Sequence, residues 1–196
     1  MRPSAAYIAI GLLTYLPVRA LFRLRARGLE NVPAEGGAVL AANHSSNFDP
    51  WPLGLPLFPR RHLRFMAKSE LYWFPLKYLL QGAGAFPVHR GQHDAEAIET
   101  AVELCRRGEI VVMFPEGTRR QKGLRKKWEA RAHTGAARIA RDAGVPLVPA
   151  AISGTHRLRQ LGPFRVVYGT PVEVGEDPRE TTDRLMAAID ELEGTQ

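Results

Sequence analysis

The chain has 196 residues, 45% of them hydrophobic and 24% charged, with a single cysteine, Cys105. This fits one folded globular domain with a proper core and excludes two full ones, and a lone thiol excludes both an intramolecular disulfide framework and a cysteine-rich metal site, pointing to a reducing, cytosolic side. The net charge of +7, from 27 Lys and Arg against 20 Asp and Glu, favours an anionic partner, whether nucleic acid, a phospholipid surface or a phosphorylated metabolite.

Residues 1–27 contain Arg2, Arg19, Arg23, Arg25 and Arg27 and no acid. Between them, Pro3 to Val18 is an uncharged run of 16 residues, mostly apolar. As a helix it would be about 24 Å long, short of the ~20 residues that a bilayer crossing needs. Four arginines follow it, where a cleaved signal peptide would have small residues. The reading that fits is a helix lying in or dipping into one leaflet, with Tyr7 and Tyr15 at the interface and arginines facing headgroups; a tilted span and an ordinary core helix are the alternatives.

After a turn-rich "GLENVPAEGG", the run "GAVLAANH" predicts a buried strand ending at His44, and Asp49–Pro50 predicts a helix entrance with the acid as N-cap. "LRFMAKSEL" predicts a strand over Leu63 to Ala67 running into a helix that carries "YWFPLKYLL". "GAFPVHR" predicts a short strand and turn. In "HDAEAIETAVELCRRG" Ile98, Ala101, Val102 and Cys105 share one helical face, with Asp94 as cap and Gly108 as stop. "EIVVMF" is a further buried strand that leads into "PEGTRR". A basic helix from about Lys127 to Asp142 stops at Gly144, "VPLVPAAI" and "FRVVYGTPVEV" supply more strands, and "DPRETTDRLMAAIDELEG" is an amphipathic helix. The alternation predicts a single α/β domain over residues 28–196, a largely parallel central sheet flanked by helices, with an apolar membrane-associating helix ahead of it. Such sheets keep their chemistry at the carboxyl ends of their strands.

His44 and Asp49 are five residues apart, which on a continuous helix would point them about 140° away from each other. A strand, a loop through Ser45, Ser46 and Asn47, and a helix starting at Asp49 would instead fold the carboxylate back onto the imidazole. One ring nitrogen would then be held and the other left as a proton acceptor. The bland alternative is a capping acid beside a surface histidine. In "FPEGTRR", Glu116, Gly117, the Thr118 hydroxyl and two arginines follow a buried strand, which suits phosphate capture, the alternative being a charged turn.

With these residues in place, the sequence resembles the 1-acylglycerol-3-phosphate acyltransferases of the PlsC type. Four blocks occur in the family's order, "NHSSNFDP", "GAFPVHR", "FPEGTRR" and "VPLVPAAI", spanning Asn43 to Ile152. The resemblance implies that His44 is the general base for a lysophospholipid hydroxyl, that Asp49 orients it, and that Arg90, Glu116, Gly117, Thr118 and Arg119 hold the glycerol phosphate, with Lys68 as a further phosphate contact. It implies an acyl thioester co-substrate, acyl-CoA or acyl-carrier protein, and a peripheral or monotopic place on the cytoplasmic face of the membrane. An activated thioester needs deprotonation and positioning, so neither metal nor cofactor is expected. HExxH, GxxxxGK[ST] and G-x-S-x-G patterns are all absent from the sequence. The chain departs from the family at His89, where an acid usually precedes the arginine, and it is short for the family. A different lysolipid or glycolipid acceptor is the alternative, and a non-enzymatic binder of anionic membrane or nucleic acid the remote one. His62, His93, His133 and His156 match no family position and read as structural or solvated.

Overall fold

The alternating pattern is realised as one seven-stranded sheet in a computed structural model that describes residues 5–88, 94–116 and 132–195. The strands are β1 (Arg25–Arg27), β2 (Ala38–Ala42), β3 (Leu63–Lys68), β4 (Ala85–Val88), β5 (Ile110–Met113), β6 (Leu147–Ser153) and β7 (Arg165–Tyr168). The helices are α1 (Ala5–Leu21), α2 (Pro50–Gly54), α3 (Leu76–Gly82), α4 (Asp94–Arg106), α5 (Gly135–Ala143) and α6 (Pro178–Gly194). Short 3₁₀ turns occupy Leu29–Asn31, Leu55–Leu57, Ser69–Leu71 and Thr155–Gln160.

The strand order is β1-β7-β6-β2-β5-β3-β4. All neighbours are parallel except β6 and β7, which pair antiparallel. β2 lies between β5 and β6, and every one of its five residues is completely buried, as a strand covered on both faces must be. From β2 the chain moves one way, to β3 and β4, and after β5 it moves the other way, to β6 and β7. The reversal opens a crevice at the carboxyl end of β2, where doubly wound sheets bind their ligands.

One face of the sheet packs against α4, α5 and α6 through residues including Val39, Val111, Cys105, Ile139, Leu185 and Ile189. The other buries Leu40, Ile110, Val148 and Tyr168 against Leu53 and Leu57. Helix α4 carries the expected apolar stripe and ends as its sequence requires. Gly108, at φ +86°, gives its N–H to the Cys105 carbonyl. Gly37 has no room for a side chain, since a Cβ there would stand 1.9 Å from the Cys105 carbonyl oxygen. The last turn of α4 thus rests on bare backbone at the start of β2.

Three predicted boundaries move. The helix after β3 starts only at Leu76, past a 3₁₀ turn, because the residue ahead of Pro75 is disfavoured in the helical region. The basic helix begins at Gly135, with residues 132–134 non-helical; its predicted start at Lys127 lies outside the described residues. "FRVVYGTPVEV" yields one strand, β7, and a single bridge from Val172 to Leu147. The sheet takes its edge strand β1 from the last three residues of the 1–27 segment.

Helix α1 packs along the domain rather than standing apart from it. The Gly11 backbone meets the Phe58 ring, Val18 joins a cluster with Leu55 and Phe164, and the Trp51 indole N–H reaches the Thr14 hydroxyl at 3.2 Å. Its outer side exposes Leu12, Leu13 and Leu16. No helix among the described residues is long and apolar enough to cross a membrane.

Near the amino end of α1, Tyr7 stands edge-on to His62, with ring centroids 4.3 Å apart. His62 also lies 3.6 Å from a Glu109 oxygen, which would favour a charged ring. Arg64 is closer to that same oxygen, at 3.3 Å, and offsets its charge. Burial first, and then Arg64, push the imidazole down from 6.5 to about 4. The folded state therefore favours neutral His62, and this contribution is complete above about pH 6.5 and is lost as pH falls toward 4. His62→Gln is expected to flatten the stability curve across that window by up to one proton's worth of slope, read by urea unfolding at a series of pH values. An unchanged slope would assign the acid sensitivity to other groups.

Candidate active site

At the carboxyl end of β2 the backbone leaves the sheet and turns back on itself within seven residues, His44 to Pro50. The turn is fixed by the Asp49 N–H donating to the Ser46 carbonyl at 3.1 Å and by the Phe48 N–H donating to the Ser46 hydroxyl at 3.2 Å. Asp49 then occupies the N-cap position of α2 with Pro50 as the first helical residue, as expected. Its side chain does not cap that helix. The carboxylate points backward instead, and its Oδ2 accepts from the Ser45 and Ser46 backbone N–H groups at 2.7 and 2.8 Å.

The same Oδ2 lies 2.9 Å from His44 Nδ1. Asp49 is completely buried, and the His44 side chain is 17% exposed. A carboxylate that already collects backbone N–H groups offers only acceptors to the ring, so Nδ1 carries the proton and donates it. Nε2 is left as a base. The His44 ring stacks on Phe114, with centroids 4.1 Å apart and planes 23° from parallel, which fixes the second axis of the ring.

Phe114 follows β5 directly, and Pro115 and Glu116 continue from it, so the strand that braces His44 also delivers the "FPEG" stretch. Glu116 is half-buried at this edge. Beyond it, the His133 N–H returns to the Pro115 carbonyl at 2.8 Å, immediately before α5. Lys68 is exposed at the carboxyl end of β3, in register with Val88 at the end of β4. His44, Asp49, Glu116 and Lys68 therefore all stand at the carboxyl ends of parallel strands or in the loops just past them. Arg90, Gly117, Thr118 and Arg119, predicted to hold phosphate, lie outside the described residues, as do His89 and His93.

Three side chains hold positions here to which the sequence reading assigned no role. Asn43 is buried between two strands and completes the pairing of β2 with β6: its Nδ2 donates to the Ile152 carbonyl at 3.0 Å and its Oδ1 accepts the Ile152 N–H at 2.8 Å. The same amide also donates to Glu193 near the end of α6. Thr155, from the 3₁₀ turn after β6, donates its hydroxyl proton to Asp49 Oδ1 at 2.6 Å. The Ser45 hydroxyl lies 3.0 Å from that of Thr155. Only spatial proximity brings residues more than 100 positions apart to one carboxylate, and no spacing rule announces it.

Beside the pair, an apolar groove runs between α1, α2 and β3, lined by residues that include Ile10, Gly11, Trp51, Leu55, Phe58 and Phe65. Its wall begins at Pro50 and Trp51, the residues that follow Asp49. Among the described residues no group of three or more His, Cys, Asp or Glu side chains is placed to hold a metal ion.

A histidine held by a buried aspartate thus stands at the carboxyl rim of a mostly parallel sheet, with an apolar groove next to it. The chain belongs to the acyltransferase family, whose sequence model matches residues 23–153, more than half of its length. It is 33% identical over 168 residues to the 1-acyl-sn-glycerol-3-phosphate acyltransferase of Bacillus subtilis, covering 83% of this chain and 80% of that one. It is 27% identical over 151 residues to the chloroplastic 1-acyl-sn-glycerol-3-phosphate acyltransferase LPAT1 of Arabidopsis thaliana, covering 75% of this chain but 40% of that longer one. In fold it is similar to the crystal structure of the 1-acyl-sn-glycerophosphate acyltransferase PlsC from Thermotoga maritima, with a TM-score of 0.63 at 23% identity over 94% of this chain and 82% of that one.

Because Asn43 substitutes for a main-chain rung between β2 and β6, Asn43→Leu is expected to cost about 2 kcal/mol or more by leaving the Ile152 N–H and C=O without partners. Urea unfolding measures this. A cost within error of zero would mean that the strand ends are held by other contacts.

Proposed function

We propose that the protein transfers a fatty acyl group from an acyl thioester to the free sn-2 hydroxyl of 1-acylglycerol-3-phosphate, giving phosphatidic acid for phospholipid synthesis. The observation that carries this reading is the contact of His44 Nδ1 with the buried Asp49 carboxylate at 2.9 Å, on the rim that also presents Glu116 and the start of the "EGTRR" stretch. The names borne by the Bacillus and Arabidopsis relatives support the same acceptor.

In this mechanism His44 Nε2 removes the proton from the acceptor hydroxyl as its oxygen attacks the thioester carbonyl. Asp49 stabilises the imidazolium that forms. The tetrahedral intermediate then collapses, the C–S bond breaks, and the leaving thiolate takes the proton from His44. Arg90, Glu116, Gly117, Thr118 and Arg119 hold the glycerol phosphate, with Lys68 as a further contact. The groove along α1 accommodates an acyl chain. The carbonyl is already activated by its sulfur, so no metal or cofactor enters the reaction; the donor is acyl-CoA or acyl-carrier protein.

His44→Ala is expected to lower turnover about 100-fold or more, the scale of general-base catalysis, in an assay of free thiol released from acyl-CoA with and without lysophosphatidic acid. Transfer by His44→Ala at near the unmodified rate would remove His44 from the role of base.

The enzyme would work from the cytoplasmic surface of a membrane, with α1 as one contact. A second element supports this placement: Trp73, Phe74, Tyr78 and Leu79 are all more than half exposed, and α3, to which Tyr78 and Leu79 belong, packs beside α1. Lys77 lies over the Tyr78 ring at 5.0 Å and Arg19 bonds the Tyr15 hydroxyl, so cations border the apolar side chains. That combination suits an anionic interface. Leu13→Glu combined with Phe74→Glu, at positions 77% and 74% exposed, is expected to abolish co-sedimentation with vesicles containing anionic phospholipid. Undiminished binding would move the membrane contact to another face.

A further inference from the structure

Asp49 has two oxygens with unequal company. Oδ2 is held by residues of its own loop, His44 and the Ser45 and Ser46 N–H groups. Oδ1 faces a different part of the chain. Its close partner is the Thr155 hydroxyl at 2.6 Å, and the Ser45 hydroxyl is more distant, at 3.5 Å. Since Asp49 is 0% exposed, water cannot replace a lost donor at Oδ1 without rearrangement.

Thr155 is itself 1% exposed, and its place is set by backbone geometry. Gly154, ahead of it, sits at φ +90°, and a Cβ there would stand 2.1 Å from the Pro163 carbonyl oxygen. The turn that presents Thr155 therefore tolerates no side chain at Gly154. One residue pair earlier, Asn43 and Ile152 lock the ends of β2 and β6 together. With its single proton committed to Asp49, Thr155 can only accept from the Ser45 hydroxyl 3.0 Å away. Ser45 donates to Thr155 and Thr155 to Asp49, two hydroxyls in series that polarise one another.

We propose that Thr155, backed by the Ser45 hydroxyl, is a positioning residue for acyl transfer: it holds the plane of the Asp49 carboxylate and through it the reactive direction of His44. This rests on the acyltransferase reading above. A donor to Oδ1 stops the carboxylate from turning about its own axis, and small misplacements of a catalytic group cost rate rather than binding. At 1% exposure Thr155 has no surface to offer a substrate, so its influence falls on turnover.

The test is kinetic, using the full chain with acyl-CoA and lysophosphatidic acid. Thr155→Val keeps the shape and removes the hydroxyl. It is expected to lower kcat about tenfold to a hundredfold, the range for a hydrogen bond to a charged group, with KM for both substrates within about twofold. Thr155→Ser restores most of that loss. Adding Thr155→Val to Asp49→Asn produces no further loss, because the hydroxyl acts through the carboxylate. Unchanged kcat in Thr155→Val, a Thr155→Ser variant as slow as Thr155→Val, or full additivity with Asp49→Asn would each overturn the proposal. Should Thr155→Val fail to fold, Ser45→Ala decides: a several-fold fall in kcat that vanishes on the Asp49→Asn background supports the proposal, and an equal fall on both backgrounds defeats it. His44→Ala in the same assay separates the two readings. If it stays active, the acyl-transfer mechanism itself fails; if it is inactive while Thr155→Val is normal, only the role of Thr155 does.

Discussion

A carboxylate with no access to water must find all its partners inside the protein, and Asp49 organises the whole carboxyl edge of the sheet around that requirement. Its acceptors draw in two backbone N–H groups from the loop it closes, an imidazole from the end of β2 and a hydroxyl from beyond β6. A buried anion without these donors would cost several kcal/mol, so the loop has little freedom to adopt another shape. The conformation that satisfies the acid is also the one that aims Nδ1 of His44 inward and leaves Nε2 as the acceptor nitrogen that the proposed mechanism uses. Stability and chemistry ask for the same geometry here.

The supports of this geometry come from separate layers of the fold. Phe114 stacks on the imidazole from the end of β5, Asn43 binds the end of β2 to β6, and α1 reaches the start of α2 through Thr14 and Trp51. The helix that bears the exposed leucines is thereby joined within a few residues to the helix that begins at Asp49. One side of α1 lines the apolar groove and the other faces outward.

Much of this was legible in the chain. Short, fully apolar runs such as "AVLAA" and "IVVM", bounded by turn residues, read as covered strands, and the alternation with helical stripes pointed to the parallel sheet. The His–Asp spacing required a turn, and the turn is there. What the chain hid was of two kinds. Proline chemistry shifted a boundary, since Pro75 delays α3 although "YWFPLKYLL" has helical composition. Long-range partners were invisible for a different reason: Thr155 and Asn43 are unremarkable polar residues in linear order, and their value comes from register between β2 and β6. The expectation that Asp49 caps α2 illustrates the limit well. The position is right, yet the side chain turns to donors that lie before it rather than after it.

The hydrogen bond from the His133 amide to the Pro115 carbonyl joins the two ends of the stretch between β5 and α5 like a drawstring. Whatever residues 117–131 do, the sheet and α5 meet at the same place. Doubling the length of a closed loop adds only about 0.6 kcal/mol of closure entropy. The neck thus makes the meeting of the sheet and α5 tolerant of changes in the length of chain between its two ends.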